Sequence, residues 1–129
     1  CQIALTNTYY LARMMRSANP DDRAVVEKVR VVFPNQSSWG THMNIAGAAI
    51  AKNSPNLAAA RQFVEYLASD SAQTYFADGN NEWPAVPTVK TSNPALAALG
   101  AFKAETIPVA VTGANQAKVQ QMLDRVGYK

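Results

Sequence analysis

One cysteine, Cys1, and one histidine, His42, are all that these 129 residues offer of the two side chains most used in metal and nucleophilic sites. A single cysteine excludes an internal disulfide. One Cys and one His make neither a Cys-x-x-Cys pair nor a His pair for zinc. A Cys–His catalytic pair would also need an orienting acid, which no spacing supplies. No apolar run approaches the roughly 18 residues that cross a bilayer, so stable membrane insertion is not expected. The opening residues lack a basic region followed by an apolar stretch and a small-residue cleavage site. A protein working outside the cytoplasm would then carry its signal upstream. Glycines are few, and Gly40, Gly47 and Gly100 are isolated, so no glycine-rich loop is present to cradle a phosphate. The net charge is +3, with the 12 basic residues scattered from Arg13 to Lys129. Nucleic-acid binders gather such charge in a tract or on one face, so no nucleic-acid partner is expected, although a mildly basic chain favours an anionic ligand.

Carboxylates are equally sparse. Asp21 and Asp22 suit the positive end of a helix that starts at Pro20. Glu65 and Asp70 flank a helix junction. Glu82 sits in the irregular run Asn80-Asn81-Glu82-Trp83-Pro84, with no second carboxylate to converge on it. Its ordinary reading is a loop acid bonded to backbone amides.

What the chain does contain is nearly half apolar, and its length suffices for one hydrophobic core. Cys1 runs straight into Ile3-Ala4-Leu5, which reads as a short buried strand rather than a polar tether for a lipid. Thr6-Asn7-Thr8 supplies turn and cap chemistry, and Tyr9–Arg16 is spaced for a helix. A second helix follows from Asn19-Pro20 to about Lys28. Val29–Phe33 is a β-branched run ending at Pro34 and predicts a strand. Met43–Ala51 is small, apolar and strand-like. Leu57–Ala68 is the clearest helix, with a face of Ala58, Phe63, Tyr66 and Leu67. Ser69 caps a helix from Asp70 to about Asp78, stopped at Gly79. Pro94–Ala104 predicts a helix, Ile107–Val111 an extended piece, and Asn115–Val126 a terminal helix. The pattern is α/β, with about six helices and few strands for a self-standing sheet.

The chemistry concentrates at Asn7-Thr8-Tyr9-Tyr10, where adjacent tyrosines follow a predicted strand and open a helix. Ligands of open α/β folds bind outside the carboxyl ends of strands, and helix N-termini offer amides to anions. Phenolate oxygen is a hard anionic donor suited to trivalent iron, and a nearby cation favours its ionised form. Neighbouring side chains of a strand point to opposite faces, but a strand-to-helix corner lets them converge. By residue type alone, a Tyr-Tyr pair is more often a partly buried aromatic pair.

The segment Cys1–Tyr10 resembles the stretch of bacterial ferric-ion-binding proteins that carries paired tyrosine ligands. The resemblance extends through Val32-Phe-Pro-Asn-Gln36, Gly40-Thr-His-Met-Asn-Ile-Ala-Gly47, Ala58–Leu67, Ala77–Pro84 and the ending Met122–Lys129. These are substrate-binding components of iron ABC transporters, with a two-lobed periplasmic binding protein fold that binds iron in its cleft. A whole member is more than twice this length, so the resemblance is to the C-terminal portion. It implies second-lobe segments at residues 1–40 and 91–129, with residues 41–90 crossing to the first lobe. It further implies that Tyr9 and Tyr10 give phenolates to Fe(III), and that Asn7 helps hold a synergistic anion, phosphate or carbonate. Delivery to a membrane permease from the periplasm follows from the same likeness, as does a binding role rather than an enzymatic one. The family's remaining ligands, typically a His and an acid, would come from upstream, and His42 does not match them. The isolated chain is then expected to carry half a site and to associate into oligomers through uncovered apolar faces.

Two alternatives remain at this level. One is a protein of the same fold that binds a polyamine, thiamine or an organic anion. The other is the effector-sensing domain of a regulator.

Overall fold

Local start signals set most of the helices. In the computed structural model, which describes residues 2–128, six helices form among the described residues: α1 Thr8–Met15, α2 Pro20–Val26, α3 Leu57–Leu67, α4 Asp70–Asn80, α5 Pro94–Ala98 and α6 Val109–Arg125. Asn19 caps α2 by accepting from the Asp21 amide at 3.0 Å, with Pro20 next and Asp21 and Asp22 in the first turn. Ser69 caps α4 through the Ala72 amide at 3.3 Å. Asn93 caps α5 by accepting from the Ala95 and Leu96 amides at 2.9 and 3.4 Å. Each cap satisfies an amide that has no partner inside its own helix.

Three expected boundaries move. Helix α4 runs through Gly79 and ends at Asn81, whose left-handed backbone (φ 61°) makes the turn that Gly79 was expected to make. Helix α5 stops at Ala98, because Gly100 at φ +81° turns the chain out. Extended structure over Ile107–Val111 is absent: Pro108 occupies the N-cap of α6 and the helix begins at Val109.

The expected strands also do not form. Among the described residues the only β pairing is one parallel bridge between Thr41 and Ala104. Cys1 lies outside the described residues, residues 2–5 carry no regular structure, and neither do 29–33 nor 43–51. A helix satisfies its own backbone, but a strand needs a neighbour, and among the described residues no strand pairs with these segments. Ile3, Leu5, Val32 and Ile45 are accordingly exposed. The molecule is therefore helix-rich, and the α/β reading survives only as extended, unpaired segments.

Chain contacts divide the molecule into two units. Unit 1 comprises Cys1–Val32 and Asn44–Ala101. Its core is small: Ala12 of α1 and Ala95 and Leu96 of α5 are buried together, with Met15, Trp83 and Leu99 packed against them. Beside that core runs a buried polar network. Asn93 donates from Nδ2 to the Ala77 carbonyl and to Asn81 Oδ1 at 2.8 and 2.9 Å. Arg16, at the end of α1, donates to the same Asn81 Oδ1 at 2.8 Å and to the Asp78 carbonyl at 2.5 Å. Burying two asparagines is tolerable because both side chains are hydrogen-bonded. The network ties the end of α1 to the end of α4 and the start of α5.

Unit 2 comprises Phe33–Met43 and Phe102–Lys129. Phe33 stacks on Phe102 with ring centres 4.3 Å apart. Gln36 accepts from the Lys103 amide at 2.7 Å and donates to the Lys103 carbonyl at 3.1 Å, acting as a side-chain substitute for a strand neighbour. Gly40 is buried at φ +99°, and a Cβ there would lie 2.7 Å from the Lys103 oxygen and the Ala104 carbonyl carbon. Only glycine allows this approach.

Candidate metal centre

Tyr9 and Tyr10 occupy the first turn of α1, where successive side chains fan around the helix axis instead of alternating. Their rings lie side by side, with centres 4.2 Å apart and planes tilted by 36°. Tyr9 is half-buried and Tyr10 is 49% exposed, so both remain open to an incoming ion.

The Tyr9 hydroxyl is held above the ordinary phenol value. Its hydrogen bond with Tyr10 contributes most, followed by partial desolvation and the nearby Tyr10 charge; a hydrogen bond from Asn7 and the charge of Arg13 pull it back. Tyr9 thus keeps its proton near neutral pH and would release it to a cation. Arg13 stands one helical turn after Tyr9, a spacing that places both on one face.

Asn7 is the N-cap residue of α1, extended at φ −76°, ψ 145°, yet its side chain makes no capping bond. Its Oδ1 instead accepts from Asn44 Nδ2 at 3.2 Å. Asn7, Tyr9 and Tyr10 thus lie together at the opening of α1, although the strand expected before them does not form. Asn44 joins them without any local signal: it sits inside the small apolar run Met43–Ala51, whose apparent strand character hides a polar role. A cavity of about 560 Å³ opens beside Tyr10 and is lined by Arg13, Arg16 and Asp22 among others, a setting of mixed charge.

The other polar residues singled out in the sequence lie elsewhere. His42 belongs to unit 2, where its Nδ1 is hydrogen-bonded with a Glu105 carboxyl oxygen. Glu82 is half-buried in the loop after α4. Among the described residues no three His, Cys, Asp or Glu side chains gather as a metal site.

The pattern of the bacterial extracellular solute-binding protein family matches residues 6–104. Iron uptake protein A2 of Synechocystis sp. is 46% identical over 129 residues, an alignment covering 98% of this chain and 37% of that protein. Among solved structures, a Trichodesmium protein (IdiA, FutA) in complex with iron and citrate ligands superposes with a TM-score of 0.88 at 46% identity, covering 96% of this chain and 39% of its own. The ferric binding protein from Campylobacter jejuni gives a TM-score of 0.88 at 36% identity, covering 98% of this chain and 40% of its own. The chain therefore spans well under half the length of the relatives it matches.

Proposed function

Because the chain belongs to the bacterial extracellular solute-binding protein family, we propose that it forms part of a periplasmic receptor that captures ferric iron for an ABC transporter permease. Tyr9 and Tyr10 bind the ion through their phenolates, and Asn7 holds a synergistic oxyanion, phosphate or carbonate, beside it. The observation that carries this reading is the adjacent pair of accessible phenols at the opening of α1. The names of the relatives support iron as cargo, and the Trichodesmium protein holds both iron and citrate. We assign residues 1–40 and 91–129 to one lobe and 41–90 to the other, a division that cuts across the two contact units of this chain.

Since the relatives are much longer, the remaining ligands come from sequence outside these 129 residues. The chain then carries half of the coordination shell and holds iron weakly. Titration with ferric nitrilotriacetate tests this. A broad visible band from phenolate-to-iron charge transfer should develop at high iron concentration and vanish when Tyr9 and Tyr10 are both replaced by Phe. A band that persists in the double variant would remove the tyrosines from the site. Tight stoichiometric binding would refute the half-site.

A further inference from the structure

Helix α1 is tied down at the end remote from its tyrosines. Arg16, its C-cap residue, donates from Nη1 both to the Asp78 carbonyl and to Asn81 Oδ1, at 2.5 and 2.8 Å. Asp78 lies in the last turn of α4, where carbonyls lack partners within the helix and the helix dipole favours a positive charge. Asn81 is the left-handed residue that ends α4, and its Oδ1 also accepts from Asn93, the cap of α5. Ala95 and Leu96 of α5 in turn pack with the buried Ala12 of α1. These contacts close a ring, from α1 through Arg16 to the end of α4, through Asn93 to α5, and through Ala12 back to α1. The cavity beside Tyr10 has Arg16 on its α1 wall and Gly79 and Asn81 on its α4 wall, so Tyr10 and Arg16 line the same space. At the opening end of α1 the tie is a neutral bond at 3.2 Å, from Asn44 in a segment without regular structure. At 1.5 Å per residue the level of Arg16 is about 10 Å from that of Tyr9, so a tilt of about 6° about the Arg16 end carries the first turn through about 1 Å. Metal–ligand distances tolerate only about 0.2 Å.

We propose that Arg16 is a positioning residue for the two phenols: bonded to the end of α4, it fixes the tilt of α1 and so the aim of Tyr9 and Tyr10 at one iron ion. This rests on the iron reading given above. Arg16 itself does not touch the ion. As a bare charge it would oppose a trivalent cation, and its removal would tighten binding. As a positioning group its removal weakens binding, so the two roles predict opposite signs.

The test titrates the 129-residue chain with ferric nitrilotriacetate and reads the charge-transfer band per bound ion, with bound iron counted by equilibrium dialysis. Arg16→Met keeps an apolar stem and loses both bonds. The iron concentration for half-maximal absorbance should rise about tenfold, the scale of losing one hydrogen bond to a charged group. The saturating absorbance per bound ion should fall toward that of Tyr10→Phe. Both bonds leave a single nitrogen, so Arg16→Lys should recover most of the band. Asn81→Gly keeps the left-handed backbone and removes the shared acceptor; it should lower the absorbance per ion alone and add little to Arg16→Met. Gly40→Ala, a destabilising change in unit 2, should leave the absorbance per ion unchanged, which separates aim from stability. Unchanged or tighter binding in Arg16→Met, no recovery in Arg16→Lys, or the same loss per ion in Gly40→Ala overturns the role of Arg16. Should Arg16→Met lose its helical circular dichroism, Asn81→Gly decides, and wild-type absorbance per ion there overturns the role. Absence of any iron band in the wild-type chain would bring down the iron reading and this proposal with it, whereas the other failures leave the iron reading standing.

Discussion

The proposed capture of iron through two phenols predicts a release of protons, and the count can be measured. A free phenol titrates near 10, and Tyr9 is pushed higher still by its hydrogen bond with Tyr10. At neutral pH the Tyr9 side chain therefore arrives protonated and must lose its proton to coordinate. With both tyrosines bound, log K for iron should rise by about 2 for each pH unit between about pH 6 and about pH 8, one for each proton released. Each tenfold step corresponds to about 1.4 kcal/mol. Replacing Tyr9 by Phe should lower both the affinity and this slope, leaving about 1 proton released. The direct assay is a pH-stat titration with preformed ferric nitrilotriacetate, with the chelator's own protons subtracted from a protein-free run. The sign for stability is separate. Because the folded value is raised, the contribution of Tyr9 to stability is complete below the unfolded phenol value and is lost as pH rises through the folded one. Alkaline destabilisation should thus be shallower in Tyr9→Phe. A proton count that is the same in wild type, Tyr9→Phe and Tyr10→Phe would refute phenolate coordination, whatever the affinity.

Four further outcomes are expected. Gly40→Ala forces a Cβ to within 2.7 Å of the Lys103 oxygen at a φ of +99° and should cost about 1–3 kcal/mol in urea denaturation; Gly113→Ala, inside α6 with nothing within 4 Å, should stabilise by about 0.5–1 kcal/mol. Leu96→Ala removes the largest fully buried side chain and should destabilise by about 2–5 kcal/mol, so a loss below about 1 kcal/mol would mean the core had collapsed around the gap. Val109, Val119, Met122 and Val126 of α6 and its C-cap are all exposed, so light scattering after size exclusion should find oligomers, and a clean monomer would count against association through apolar faces.

What could be read from the residues was whatever local chemistry decides. Asn19-Pro20-Asp21, Ser69-Asp70 and Asn93-Pro94 each contain a cap and a first turn within three residues, and each starts a helix where expected. Val29–Phe33 contains strand propensity but not its partner, and without one it stays extended and unpaired. The start of α6 was misplaced because Val109 and Val111 look β-like, while Pro108 at the N-cap and self-sufficient helical bonding prevail. At the candidate site, the closeness of Asn7, Tyr9 and Tyr10 was legible because one turn of chain holds them together. Asn44 was not, because its bond to Asn7 spans 37 positions and a neighbourhood of alanines gives no hint of it.

The joint between Phe33–Met43 and Phe102–Glu105 carries a consequence for how the chain folds. Gln36 and Lys103 meet across 67 positions, His42 and Glu105 across 63. Closing so long a loop costs entropy before any contact repays it, and contacts of such high sequence separation slow folding. Helices α3 and α4 lie wholly inside that loop and need only neighbours in sequence to start. The amides of Thr41 and Glu105, bonded at 2.8 and 2.9 Å, should therefore gain protection from hydrogen exchange later in refolding than those of α4. In a growing chain the Gln36 turn would wait, with Phe33 unstacked, until more than sixty further residues had been synthesised.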